Sequence, residues 1–312
     1  MLDSRQSEWI DKITGTSLSS NIEPNPALAN IDEQIRQTLP SHDFGALDDW
    51  MISPDGGREL YDASSENLGI VDPALVGTVS DEQVEAALLG IHFPSSEELS
   101  GRENEVIRQA ESLVDILASK SPTFKNVLVA ATQGGAKPLT VKLGDVAGPT
   151  ASYARLMNTV NIRRNSLRQG ADLVAGHIVF EMINAARIPA ALRIGRIAMT
   201  GYYEKLAQTL SSSGKPVSAA DLYAAALETA EYPGIVAHHS IFQEAKDAGT
   251  EIKAAADIYA DNFNPEFGAN YASLHEYLSL QLTTGHTARY ANFYIRSVRP
   301  RLQSTREDGQ AA

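Results

Sequence analysis

Two arginine-rich segments are the parts of this sequence best suited to chemistry on an anion. Residues 155–196 hold seven arginines against two acidic residues, and residues 289–306 hold five arginines and no acidic residue. Guanidinium groups concentrated in this way bind phosphates through their charge and their paired N–H donors. We therefore expect a surface that binds a polyanion, with ordinary solvated helix faces as the alternative interpretation.

The charge of the chain is divided unevenly between its two halves. The net charge is −13, and the first 150 residues hold 24 of the 39 acidic residues but only 10 of the 26 basic ones. The second half contains 12 of the 17 arginines. The arginine clusters thus stand out against an acidic chain, which favours a local anion-binding surface over a uniformly basic protein.

The first segment predicts two guanidinium groups near the start of a buried helix over 166–186. Arg164 and Arg168 have the i, i+4 spacing of one helix face, while Leu167 turns toward the core. With the backbone N–H groups of the first turn, these side chains could hold phosphates. Asp172 follows Arg168 by four residues, and an exposed ion pair between them would contribute only about 0.3–0.5 kcal/mol.

The second segment places aromatic residues among arginines. Arg289 and Arg296 are seven residues apart and share a face of a predicted helix over 285–298. Aromatic rings beside arginines suit single-stranded nucleic acid, where bases stack and phosphates pair with cations. Aromatic residues at helical spacing are also typical of a core, and we expect Phe293 to be buried. The predicted core stripe is Ala288, Ala291, Ile295 and Val298; the interleaved aromatics are Tyr290, Phe293 and Tyr294.

No pattern of residues predicts catalysis or a bound metal. His238 and His239 with Glu244 are the best metal candidate, yet neither HExxH nor a two-histidine, one-carboxylate pattern is present. No GxSxG surrounds a serine, and the absence of cysteine excludes disulfides and cysteine-based metal sites. We expect no enzyme, no metal and no cofactor, although an active site assembled from distant positions would not be visible in the sequence.

The elements that position these residues are predicted to be mainly α-helical. Ser80 and Gln83 form a capping box before a helix, and residues 104–120 have the apolar spacing of an amphipathic helix. Residues 126–131 and 139–143 are the only strand-like runs, and they predict at most one short β-hairpin. Further helices are expected around 201–211, 219–231, 236–247, 251–260, 269–282 and 285–298. No apolar run reaches the length of a membrane span, and the first residues lack the features of a signal peptide.

Four regions follow from composition and charge. We expect a flexible N-terminal arm over 1–65, rich in proline and poor in apolar residues, and an acidic helical subdomain over 66–150. A helical-bundle core with an arginine-rich groove is predicted over 151–301, followed by a loose C-terminal tail over 302–312. The boundary near 150 rests on the shift in charge and on Gly148 and Pro149.

Both arginine segments resemble motifs of the coat proteins of flexible filamentous plant viruses, of the potexvirus and potyvirus kind. The run 166–169 is similar to a Thr-Leu-Arg-Gln element at the start of a long helix, and Pro189 and Ala190 are similar to a later Pro-Ala pair. The run 288–294 is similar to the potyvirus motif Ala-Arg-Tyr-Ala-Phe-Asp-Phe-Tyr, with Asn292 in place of the aspartate. The resemblance implies a helical core that wraps single-stranded RNA, terminal arms that join subunits, and Arg168 as an RNA contact.

The leading hypothesis from the sequence is therefore a coat or nucleocapsid protein, in the virion and the host cytoplasm. It would package single-stranded RNA without sequence preference and self-associate into a homo-oligomer or filament, with no membrane partner. The first alternative is an α-helical interaction protein, such as a secreted effector or scaffold, that binds no nucleic acid. The second is an α-helical enzyme, which a closed pocket gathering His238, His239 and carboxylates would favour. The residues predicted to bind RNA are Arg163, Arg164, Arg168, Arg193, Arg196, Arg289, Asn292 and Arg296.

Overall fold

A small sheet and a set of packed helices make up the fold. The computed structural model describes residues 79–133, 138–144, 150–154, 157–187, 194–195, 197–212, 218–268 and 270–303. The helices are α1 (Asp81–Leu89), α2 (Gly101–Lys120), α3 (Pro122–Gln133), α4 (Ala171–Ala186), α5 (Tyr202–Ser212), α6 (Ala219–Asp247), α7 (Ala260–Phe263), α8 (Leu274–Thr284) and α9 (His286–Phe293). The strands are β1 (Ile91–His92), β2 (Leu139–Gly144), β3 (Ala151–Ala154) and β4 (Thr159–Arg163).

Short non-α helices join several of these elements. The 3-10 segments are Ser96–Glu98, Arg164–Gln169, Ala254–Ala256 and Pro265–Phe267, and a π-helical segment, Tyr294–Val298, continues α9. Runs of 3-10 and π geometry are usually short and often occur at the ends of α-helices. Two of them, Arg164–Gln169 and Tyr294–Val298, carry residues of the arginine segments.

The sheet mixes parallel and antiparallel pairing. Its strand order is β1-β2-β4-β3, in which β2 is parallel to both β1 and β4. β3 is antiparallel to β4, with Tyr153 opposite Val160. Parallel strands require a crossover connection, and α2 and α3 provide it between β1 and β2. β3 is thus an edge strand of the described sheet, and α4 packs against it.

Two main apolar clusters hold the helices together. The first joins α1, α2, α3, α4 and the sheet to the C-terminal part of α6, and Leu128, Ile178 and Ile241 are fully buried in it. The second joins α5, the N-terminal part of α6 and α9, and includes Tyr223, Leu227 and Val298. Since α6 contributes to both clusters, this helix connects the two parts of the core.

The mainly α-helical fold class is confirmed, and so are several local predictions. Ser80 accepts a hydrogen bond from the Gln83 amide at 3.3 Å, and the Gln83 side chain accepts one from the Ser80 amide at 2.8 Å. This is the predicted capping box. The helix predicted over 104–120 is α2, and the strand predicted over 139–143 is β2.

The predicted β-hairpin is wrong. Residues 126–131 belong to helix α3, whose buried Phe124, Leu128 and Ala131 recur at the spacing of one helix face. Ser121 supplies the missed start signal, because its Oγ accepts a hydrogen bond from the Phe124 amide at 2.9 Å. The strand predicted over 139–143, β2, pairs in parallel with β1 and β4, so it is not part of a hairpin. The antiparallel pair of the sheet is formed by β3 and β4.

The helix predicted over 166–186 begins later than expected. Gly170 has φ 104° and ψ 163°, a conformation that glycine adopts readily and that separates the 3-10 segment from α4. Arg164 and Arg168 therefore lie in a helix with about three residues per turn, where i and i+4 do not share a face. The predicted common helix face of these two arginines is wrong.

The predicted break in the region of Pro233 is also wrong, because α6 runs unbroken from Ala219 to Asp247. Proline in a helix interior removes one backbone hydrogen bond and crowds the preceding turn. Here Leu227 and Ile235 are buried on either side of Pro233, so packing on both sides outweighs the local preference. The predicted helix over 251–260 is replaced by a 3-10 turn and the short α7.

The predicted division of the chain at residue 150 falls inside one sheet. β2 precedes this boundary and β4 follows it, yet the two strands pair over five residues from Thr140 to Gly144.

The N-terminal arm at 1–65 and most of the tail at 302–312 lie outside the described residues. Within the described part of the chain, no helix has the length and apolar character needed to cross a membrane.

Candidate functional site

The first arginine segment lies at the end of β4 and in the 3-10 segment that follows it. Arg163 ends the strand and is partly buried, whereas Arg168 is exposed. Arg164 forms an ion pair with Glu103 of α2 at 2.5 Å. Asp172 does not pair with Arg168, since its Oδ2 accepts a hydrogen bond from Lys253 at 2.9 Å.

The second arginine segment exposes its charges but buries its aromatic rings. Arg289, Asn292 and Arg296 are exposed. Tyr290 and Tyr294 are buried, with their hydroxyls donating to Glu231 and Glu204. The predicted core stripe is right at the buried Val298 and wrong at the exposed Ala288 and Ile295. Ala291 and Phe293, both expected in the core, are partly buried, and Thr287, Tyr290 and Tyr294 are buried.

The two arginine segments pack on different parts of the protein. The Arg164–Gln169 segment contacts α2, α4 and β4, and its Leu167 belongs to the first cluster. Helix α9 contacts α6 and α8, and its Tyr290 belongs to the second cluster. The predicted sites Arg193 and Arg196 lie outside the described residues, so the structure does not test whether they join either segment.

A different group of residues comes together in the interior, where α4, α6 and α9 meet. We call it the polar centre: Glu181 and Asn184 of α4, Glu228 and Glu231 of α6, and His286 of α9. Glu181 and Asn184 are one helical turn apart, as are Glu228 and Glu231, so each pair shares a face of its helix. These positions are separated by up to about a hundred residues in sequence, which is why local spacing did not indicate them.

Glu228 is the most deeply placed carboxylate of the centre and is not exposed at all. Its Oε2 accepts a hydrogen bond from the Tyr277 hydroxyl of α8 at 2.8 Å. Its Oε1 accepts from Thr287 at 3.2 Å and lies 2.8 Å from His286 Nδ1. Burying a carboxylate is costly unless such partners replace water, and here three of them do.

His286 is held in one orientation by this carboxylate. Because Nδ1 faces Glu228, the opposite ring nitrogen, Nε2, points away from it, and the side chain is 30 % exposed. Burial alone would lower the pKa of His286, but the hydrogen bond to Glu228 and the charge of Glu231 raise it above its ordinary value. A histidine oriented by a carboxylate is the usual arrangement of both general bases and metal ligands.

Glu181 and Glu231 carry charges that the interior disfavours. Burial raises the pKa of both carboxyl groups above the ordinary glutamate value, and the charge of Glu231 further raises the pKa of Glu181. Asn184 donates a hydrogen bond to Glu181 Oε2 at 3.0 Å, and the Tyr290 hydroxyl donates to Glu231 Oε2 at 3.0 Å. The buried Arg187 guanidinium at the end of α4 lowers the pKa of Glu231.

Three of these residues could hold a metal ion. One potential ligand atom from each of Glu228, Glu231 and His286 lies within 4.8 Å of the other two. Two carboxylate oxygens and one imidazole nitrogen form a ligand set that suits Zn²⁺, Mn²⁺ or Fe²⁺. Three protein ligands also leave a coordination position for water, as in catalytic zinc sites.

The metal candidate named from sequence is not assembled. Glu244 accepts hydrogen bonds from the hydroxyls of Ser121 and Thr123, each at 2.6 Å, and so supports the start of α3. His239 Nδ1 lies 2.6 Å from Asp257, which is also 3.6 Å from His238 Nδ1. The two histidines therefore do not join Glu244, and both instead face Asp257 from the next segment.

Comparison with known protein families, with curated proteins and with solved structures finds no match for this chain. The polar centre and the exposed arginines are the features of this chain that point to a function.

Proposed function

We propose that the polar centre binds a divalent metal ion and that the protein is a metal-dependent enzyme of hydrolytic type. The observation that carries this proposal is the meeting of Glu228, Glu231 and His286 ligand atoms within 4.8 Å, with Glu228 buried and the other two half-buried. Metal ions are bound by such convergent oxygen and nitrogen donors, and an open coordination position allows a bound water to be activated.

The charge of the centre supports a cation rather than a purely structural hydrogen-bond network. Two buried carboxylates, Glu181 and Glu228, and the half-buried Glu231 stand against the buried Arg187 guanidinium and the His286 imidazole, whose pKa is raised. Leaving an excess of negative charge uncompensated in a poorly solvated place costs several kcal/mol per ion. Either protons or a cation must offset it, and a divalent ion would neutralise the excess while using existing donors as ligands.

The chemistry available to such a site is activation of water. A bound divalent ion lowers the pKa of its water from about 15.7 toward 7. Burial and the charge of Glu231 raise the pKa of the Glu181 carboxyl group, so Glu181 would be the proton acceptor in this proposal. General bases are most effective when their pKa lies near the working pH. Hydrolysis of an ester, amide or phosphoester is the reaction class that needs these parts.

The direct test is to titrate the metal-free protein with Zn²⁺ and Mn²⁺ by calorimetry and to measure bound metal by elemental analysis. We expect one ion per chain, with release of protons from the centre. Glu231→Gln should weaken binding by about 10- to 100-fold, a size typical of disturbed metal sites. Glu204→Gln is the matched control, since Glu204 accepts a hydrogen bond from Tyr294 but is not a proposed ligand. Equal binding by both variants, or none by the wild type, would contradict the proposal.

Packaging of single-stranded RNA is a second candidate function, and one specific observation favours it. Arg168, Arg289 and Arg296 are exposed, and no ion pair with any of them occurs in the described part of the chain. Asp172, the expected partner of Arg168, is instead bound to Lys253. Exposed arginines without acidic partners are available to phosphate oxygens.

This candidate is tested by RNA retention and by filament formation. The protein should purify with nucleic acid at low salt and form filaments or rings in negative stain. Arg168→Glu together with Arg289→Glu should abolish binding to a single-stranded RNA in a gel-shift assay. Arg102→Glu, at another exposed arginine, should not. A protein that is free of nucleic acid, monomeric and unaffected by the double change would rule out this function.

A further inference from the structure

The polar centre is accessible from solvent at two of its three proposed metal ligands. Glu228 is fully buried, whereas Glu231 and His286 are half-buried. The His286 side chain is 30 % exposed, and it comes from α9, the last helix of the centre. A substrate that arrives from solvent would therefore meet the proposed metal site beside α9.

Arg289 lies on this side of the centre. Thr287 and Tyr290 form the buried face of α9, and His286 lies at the border of that face. Arg289 follows His286 by three residues, so it is the neighbour of His286 one turn further along the helix. Because Arg289 is exposed, its guanidinium group lies on the solvent side of the proposed ligand.

The balance of charge leaves Arg289 as the cation for a substrate. A divalent ion and the Arg187 guanidinium would together offset the three carboxylates of the centre, since a histidine that binds a metal is neutral. Arg187 belongs to this inner set by its position, because a Cβ added at Gly234, one turn after Glu231, would lie 3.7 Å from Arg187 Nη1. No ion pair in the described part of the chain involves Arg289.

We propose that the substrate is a phosphoester and that Arg289 binds its phosphoryl oxygens while the metal ion of the polar centre binds the same group. This inference rests on the proposed metal-dependent hydrolysis and names the substrate class of that site. A phosphoryl group has several oxygens and a negative charge, so a metal ion and a guanidinium fork can bind it together. A neutral ester or amide offers one carbonyl oxygen and no charge, which would leave Arg289 without a role.

The reaction would be hydrolysis of one P–O bond. The oxygen of a water activated at the centre adds to phosphorus, and Glu181 takes up the proton that this water loses. The bond from phosphorus to the leaving oxygen breaks, and the leaving oxygen receives the proton from Glu181. The products are an alcohol and a phosphate with one ester link fewer, with one water consumed and no oxidation or reduction.

The first test compares three substrates that share one leaving group. The full-length, Mn²⁺-loaded protein is given p-nitrophenyl phosphate, bis(p-nitrophenyl) phosphate and p-nitrophenyl acetate, with and without a chelator. We expect chelator-sensitive release of nitrophenol from a phosphoester and none from the acetate. The monoester and the diester distinguish a terminal phosphate from an internal one as the natural group.

Variants of Arg289 give an independent measurement. Arg289→Gln should raise the KM for the phosphoester by about 5- to 10-fold, because a contact from an exposed arginine is partly screened by solvent. The kcat should change less, since this contact is present in the bound substrate and in the transition state alike. Arg289→Lys keeps the charge but not the fork and should fall between the two. Arg102→Gln makes the same charge change at an exposed arginine of α2 and should behave as the wild type does.

Binding without turnover is measured by calorimetry with phenylphosphonate, a phosphoester analogue that is not hydrolysed. It should bind the Mn²⁺-loaded protein, bind about 5- to 10-fold more weakly to Arg289→Gln, and bind Arg102→Gln normally.

The outcomes separate the two proposals. Metal binding with hydrolysis of the acetate alone, or of none of the three substrates, would overturn the phosphoester inference and leave the metal site intact. Equal KM values and equal phenylphosphonate binding for Arg289→Gln and Arg102→Gln would do the same for the role of Arg289. Failure of the wild type to bind Zn²⁺ or Mn²⁺ would overturn the metal site itself, and this inference with it.

Discussion

Asp257 is a buried carboxylate that binds two histidines of α6. Its Oδ2 lies 2.6 Å from His239 Nδ1, and its Oδ1 lies 3.6 Å from His238 Nδ1. Burial alone would raise the pKa of Asp257, but the nearby His238 ring and the hydrogen bond with His239 lower it from 3.8 to about 2. The ionised form is thus favoured in the folded protein over the unfolded chain, which makes Asp257 a source of pH-dependent stability.

The stability that Asp257 contributes should be lost in acid. Because the folded-state pKa lies below the unfolded one, the contribution is fully present above about pH 4 and decreases as the pH falls toward 2. At neutral pH it should be on the order of 2 kcal/mol. Urea unfolding of the wild type and Asp257→Asn from pH 7 to pH 3 measures it. The difference in free energy of unfolding should shrink below about pH 4; a difference that is constant over this range would show that charge is not the cause.

At the residue scale, the sequence shows the glutamates of the polar centre but not the residues that contact them in the fold. Glu228 and Glu231 have the spacing of any solvated helix face, and nothing local distinguishes them from exposed glutamates. Their environment in the fold is different, because they contact the Tyr277 hydroxyl, the Tyr290 hydroxyl and His286. These three residues belong to other helices. A site whose members are 50 or so residues apart needs the fold before it can be recognised.

At the scale of elements, α4 reaches the polar centre by passing very close to the chain after α6. Gly176 of α4 faces the 3-10 turn Ala254–Ala256, and a Cβ added at Gly176 would lie 2.1 Å from the Ala256 carbonyl oxygen. His238 strengthens the same crossing, because its Nε2 lies 3.0 Å from the Gly176 carbonyl. Only glycine allows this close approach of two backbones.

Gly176→Ala should therefore destabilise the protein, although alanine is the better helix former. Overpacking of a core commonly costs about 1–3 kcal/mol, and the clash here is with backbone, which cannot move as a side chain does. Gly101→Ala in the first turn of α2 is the matched control, since nothing lies within 4 Å of the added Cβ; it should be neutral or slightly stabilising. Chemical denaturation of both variants decides the matter, and equal stabilities would mean that the crossing relaxes freely.

The predictions made from sequence succeeded where an element depends on its own residues. The capping box at Ser80 and the amphipathic spacing of residues 104–120 are local patterns, and both are present. The incorrect predictions concern elements whose conformation depends on packing against distant residues. Apolar residues of 126–131 satisfy a strand and a helix equally well, and the remote carboxylate Glu244, 121 residues from Thr123, supports the helix. The helix break predicted near Pro233 is wrong because the sequence does not show that the neighbours of Pro233 on α6 are buried.

At the scale of the whole molecule, α6 is the element that makes the described core one unit. Its N-terminal part, with Leu227, belongs to the second cluster, and its C-terminal part, with Ile241, belongs to the first. Tertiary packing supplies most of the stability of a helix in a protein. The packing of each end of α6 therefore helps to keep the whole helix folded. The polar centre lies on the same helix, and its geometry should depend on both clusters.

The described core should accordingly unfold in a single transition rather than separately on either side of residue 150. Leu227→Ala and Ile241→Ala each remove a fully buried side chain and should each cost about 2–5 kcal/mol. Calorimetry should show one heat-absorption peak in the wild type, and both variants should lower its midpoint. Since both tryptophans, Trp9 and Trp50, precede the described residues, tyrosine near-ultraviolet circular dichroism should be used to follow the core. Two peaks, with each variant shifting only one, would instead favour the independent subdomains predicted from charge, and the polar centre would then belong to the C-terminal one.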